Sequence, residues 1–129
     1  SPFAKKDVPQ LLSFAQFHYA FAHVLPEAEV RAVYDAHVVP ESRNVPASSL
    51  GQIGTVDFEK PRAPLLLVAG ELDHIIPAKL NRKNQAAYRP SAGVTDFREF
   101  PGRTHYILAQ QGWEEVSDFV QEWVGEKLA

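Results

Sequence analysis

The chain has 129 residues, 45% hydrophobic and 11% aromatic, with a formal charge of −3 and no cysteine. That composition fits one globular domain or a large piece of one, and it excludes disulfides and thiolate-bound metals. The thirteen Lys and Arg are scattered along the chain, which argues against nucleic acid and acidic membranes as partners. Catalysis would have to use hydroxyl, imidazole or carboxylate groups. No apolar run approaches the ~18 residues of a membrane span. No signal peptide is recognisable, so the expected compartment is the cytoplasm. The sequence lacks methionine; removal of an initiator before Ser1, or cleavage from a longer chain, would account for that.

The first region, residues 1–58, reads as helices followed by a connector. Phe14, Phe17, Phe21 and Val24 or Leu25 recur near helical spacing, with Ser13 placed as an N-cap. Pro26 is suited to opening a second helix, whose positive end would be favoured by Glu27 and Glu29. Val30, Val33, Tyr34 and His37 would share one face of it. The stretch from Val39 to Pro64 is rich in Pro, Ser and Gly and reads as a long connector with at most one short helix.

Residues 59–129 change character. Leu65 to Val68 is a continuous apolar run, typical of a parallel strand covered on both faces. Pro77 sits where a helix would start, and residues 78–89 have helix-forming composition. Residues 94–100, "VTDFREF", form a second predicted strand, and "PGRTH" a turn. From Gly112 onward a final helix is expected, with Trp113, Val116, Val120 and Trp123 on one face against the sheet. Strand, helix, strand, helix argues for an α/β fold with a parallel βαβ unit. Two parallel strands are not a self-sufficient sheet, and an open apolar edge is an aggregation template. The pair is therefore expected to belong to a larger sheet whose other strands lie on a second polypeptide or on a further portion of the protein.

Ligands of open parallel sheets bind beyond the carboxyl ends of the strands. Asp73 follows the first strand by a few residues, and His105 follows the second. The crossover places both exits at one sheet edge, where a carboxylate could fix the tautomer of an imidazole. Glu71 competes with Asp73 on proximity alone. His74 is expected to be structural or exposed. His18 and His23 are five residues apart, which misses the i, i+4 spacing of a helical metal pair. With His37 they read as residues of the helical region, and neither a metal nor another cofactor is expected. Ser1 as an N-terminal nucleophile has no other support.

"PLLLVAGELDHIIP", followed about thirty residues later by "FPGRTHYIL" and an amphipathic helix, resembles the C-terminal half of an α/β-hydrolase. Gly70, Asp73 and Pro77 match the family's acid-bearing turn, and Gly102 and His105 its histidine turn. The chain order of nucleophile, acid and histidine is also the family's. The likeness covers roughly residues 61–128 and implies Asp73 and His105 as catalytic residues. The helical region from Ser1 to Val45 resembles the lid of such enzymes, which implies that Phe14, Phe17 and Phe21 line a pocket for a small hydrophobic substrate. No G-x-S-x-G nucleophile elbow occurs, and "ASSLG" and "PSAG" do not satisfy the pattern. The expected partner is therefore the N-terminal half of the same hydrolase, carrying a serine. Epoxide hydrolases, haloalkane dehalogenases, perhydrolases and carbon–carbon bond hydrolases share the half seen here. A hydrolase-like receptor with little turnover is the alternative outside the enzyme class.

Overall fold

The computed structural model describes residues 8–42, 44, 48 and 50–128. Among these it is an α/β protein with four helices and a two-stranded parallel sheet: α1 (Phe14–Phe21), α2 (Glu27–His37), β1 (Leu65–Gly70), α3 (Ala78–Ala87), β2 (Thr95–Phe100) and α4 (Trp113–Leu128). Ser1, raised above as a nucleophile, lies outside the described residues.

Helix α1 starts on a reciprocal cap. Gln16 N–H donates to Ser13 Oγ at 3.3 Å, and Ser13 N–H donates to Gln16 Oε1 at 2.9 Å. Pro26 is the N-cap of α2 rather than its first helical residue, with Glu27 and Glu29 in the first turn. The two helices close on a small core of Phe17, Ala22, Leu25 and Val30. Leu25, not Val24, supplies the inward side chain. Val33 and Tyr34 pack against this core, while His37 at the end of the stripe is exposed. Tyr34 Oη donates to the Leu12 carbonyl at 2.6 Å, and an antiparallel bridge joins Gln10 to Glu41. These contacts strap the segment before α1 to the segment after α2.

β1 and β2 run parallel in the register Leu65↔Thr95 to Gly70↔Phe100. Side chains alternate across a strand, and each face of β2 meets a different helix. On one face Glu99 pairs with Arg82 of α3, and Gln85 of α3 donates to the Thr95 carbonyl. On the other, Phe100 meets Phe119 edge-on and Asp96 accepts from Trp123 Nε1 at 2.7 Å. Leu65 N–H bonds to Val94 O and Glu71 N–H to Phe100 O. The backbone groups of Leu66, Val68 and Gly70 therefore face the opposite edge, where no strand lies among the described residues. Leu65, Leu66, Leu67 and Val68 are all only half-buried.

The face expected for α4 is split. Val116 is buried and Phe119 and Trp123 meet β2, but Trp113 is 45% exposed. Trp113 instead flanks an open groove with Leu108, Ser117, Val120 and Gln121. The physical reason is width: two strands are too few to cover the whole apolar stripe of a sixteen-residue helix. No helix among the described residues is long and apolar enough to cross a membrane.

Candidate functional site

The exits of β1 and β2 converge because the chain after β2 passes directly over Gly70. A Cβ on Gly70 would stand 2.4 Å from Arg103 O and 2.7 Å from Thr104 O, so only glycine allows this approach. Leu72 N–H donates to Arg103 O at 2.8 Å, which zips the two turns together. The carboxylate of Glu71 accepts from Gly102 N–H at 2.8 Å. Glu71 is thus occupied in pinning the histidine turn. Gly102 itself has φ +66°, a conformation that side chains with a Cβ disfavour.

Asp73 is fixed within its own turn. Oδ1 accepts from Ile75 N–H at 2.7 Å and from Ile76 N–H at 2.8 Å, in the manner of an Asx turn. Its second oxygen is left to face outward from that turn. Oδ2 lies 2.9 Å from His105 Nδ1. Because the partner is a carboxylate, Nδ1 carries the proton, and Nε2 of the neutral ring keeps its lone pair. The Asp73 side chain is 9% exposed and that of His105 30% exposed. The carboxylate is therefore shielded, while the imidazole reaches solvent.

The histidine turn is held by residues that no sequence motif marked. Thr104 is fully buried, and both its N–H and its hydroxyl donate to Gln110 Oε1. Gln110 Nε2 donates to Gly102 O at 3.1 Å. Arg103 reaches the Gln111 and Gly112 carbonyls and pairs with Glu115 at the start of α4. Sequence spacing could not reveal these contacts, since a threonine and a glutamine six residues apart in a loop carry no period.

The helical region borders the same place. Phe21 sets its ring against the His105 ring at 77° and 5.1 Å between centroids. Phe17 and Phe21 line a cavity of about 340 Å³ with Leu12, Val33, Val38 and Tyr106. Phe14 is not in this lining; it packs under Arg31 and edge-on to Tyr34. His18, His23 and His74 cluster on another side of α1. His23 and His74 stack at 3.7 Å, and no group of three or more His, Asp or Glu among the described residues is placed to hold a metal ion. Burial, then the neighbouring His74 and His18, lower the pKa of His23. No protein-family model matches the chain, and comparison with curated proteins gives no match either.

Proposed function

We propose that this chain is the acid- and histidine-bearing part of an α/β-hydrolase, transferring the acyl group of a hydrophobic carboxylic ester or lactone to water. The observation that carries the reading is the 2.9 Å contact between Asp73 Oδ2 and His105 Nδ1, with Nε2 of His105 left as a base. The nucleophile is a serine on a companion polypeptide or a preceding half of the same protein. The open edge of β1 and the half-buried Leu65–Val68 run support such a companion, because a further parallel strand would satisfy both.

In this mechanism the serine hydroxyl attacks the substrate carbonyl and gives its proton to His105 Nε2. Asp73 holds the ring and stabilises the imidazolium that forms. The tetrahedral intermediate collapses as His105 returns the proton to the departing alkoxide, leaving an acyl-serine. Water then enters by the same route, His105 taking and returning the second proton, and the carboxylic acid is released. The apolar cavity beside Phe21 suits the non-reacting part of a hydrophobic substrate.

A fluorophosphonate probe tests this reading on the native preparation. Covalent labelling of a serine on a companion polypeptide is the expected result. Tight binding of a small hydrophobic ligand with neither labelling nor turnover would replace the enzyme with a receptor.

A further inference from the structure

The last carbonyls of a helix have no partner within it, and at the end of α1 two of them go to the residues that directly follow the candidate dyad's members. Tyr19 O lies 2.8 Å from His74 Nδ1, and Phe21 O accepts from Tyr106 N–H at 3.0 Å. His74 directly follows Asp73, and Tyr106 directly follows His105. One helix end therefore grips the residue after the acid and the residue after the histidine.

We infer that the C-terminal end of α1 is a clamp that sets the Asp73–His105 contact, and that His74 is a positioning residue acting through its Nδ1–H bond to Tyr19 O. The inference rests on the dyad read above and assigns it a third, non-catalytic member. A carbonyl can only accept, so His74 is held as the Nδ1–H tautomer. Its ring is braced by two others: His23 stacks on it at 3.7 Å and 7°, and the tilted Tyr19 ring lies 4.6 Å away. Bracing fixes χ1 and χ2 of His74 and with them the backbone of the turn that carries Asp73. The acid turn is otherwise tied to itself, through Ile75 N–H and Ile76 N–H, and to the histidine turn, through Leu72 N–H and the Glu71 carboxylate. Those bonds shape the turn but do not orient it toward the helical region. The Phe21–Tyr106 bond performs the same service for His105, and there it comes from backbone that no side-chain substitution removes.

Two substitutions separate the hydrogen bond from the ring. His74→Asn keeps an N–H donor near the position of Nδ1 and loses the stack. His74→Phe keeps the stack and loses the donor. The readout is the low-field proton resonance of His105 Nδ1–H, followed by NMR on the full histidine-labelled chain together with any companion that co-purifies with it. The signal should survive in the wild type and in His74→Asn, and should be lost to exchange broadening in His74→Phe. Retention in His74→Phe overturns the clamp while leaving the dyad intact. Loss in His74→Asn overturns the assignment to the Nδ1 bond, whatever the Phe variant does. Absence of the signal from the wild type removes the dyad itself, and with it both the clamp and the proposed chemistry.

Discussion

Asp73→Asn is the sharpest change at the scale of single residues. The amide oxygen can still accept from Ile75 and Ile76 N–H, so the turn should keep its shape. The amide nitrogen would then face His105 Nδ1 as a donor and force the proton onto Nε2, the position that must be bare to act as base. Ester hydrolysis by the assembled protein should fall by about 10⁴, as when the orienting acid of a serine triad is neutralised, with an unchanged melting temperature. Gly70→Ala should do the reverse. Its Cβ would collide with Arg103 O and Thr104 O, costing about 1–3 kcal/mol of stability, the usual range for overpacking. Thermal unfolding followed by circular dichroism would register that loss. His23 adds a pH dependence. Its pKa is lowered from the ordinary 6.5 by burial and by His74 and His18, so the unfolded chain binds the proton more readily than the folded one. The resulting contribution to stability is complete above pH 6.5 and is lost as pH falls through the lowered folded value. His23→Phe, which keeps a flat ring against His74, should flatten the stability profile in that window.

At the scale of elements, the readable parts of the sequence were those whose signals are local. The helical stripe of Phe17, Phe21 and Leu25, the N-cap at Ser13, the Leu65 run and the acidic first turn of α2 each depend on neighbours within one or two turns. Ser13→Ala removes one half of the reciprocal cap and should cost about 1 kcal/mol, measurable as a lower denaturation midpoint. What stayed hidden depends on distant contacts. Glu71 and Asp73 are equally near the strand end in sequence and only the family resemblance favours Asp73; in space Glu71 takes Gly102 N–H while Asp73 reaches His105. Gln110, Thr104 and the Tyr19–His74 bond join parts of the chain that no periodicity relates. The helical period placed Trp113 on the sheet with Val116 and Trp123, yet Phe119 takes that contact and Trp113 is left outside. A stripe wider than its cover is decided by the neighbour, not by the helix.

For the whole molecule the governing quantity is surface. Among the described residues, apolar surface is left uncovered at the half-buried Leu65–Val68 run of β1 and in the groove between Trp113 and Leu108. Expressed alone, the chain should partition into the insoluble fraction or unfold with little cooperativity. Coexpressed with its companion it should become soluble and show one sharp transition in calorimetry. Hydrolysis of a short aryl ester by that assembled protein, wild type against His105→Ala, then measures whether His105 is the base. The variant should lose about six orders of magnitude, the scale set by removing the base of a serine triad, and recover part of the rate with added imidazole. An assembled His105→Ala protein that hydrolyses the ester as fast as the wild type would rule out His105 as the base.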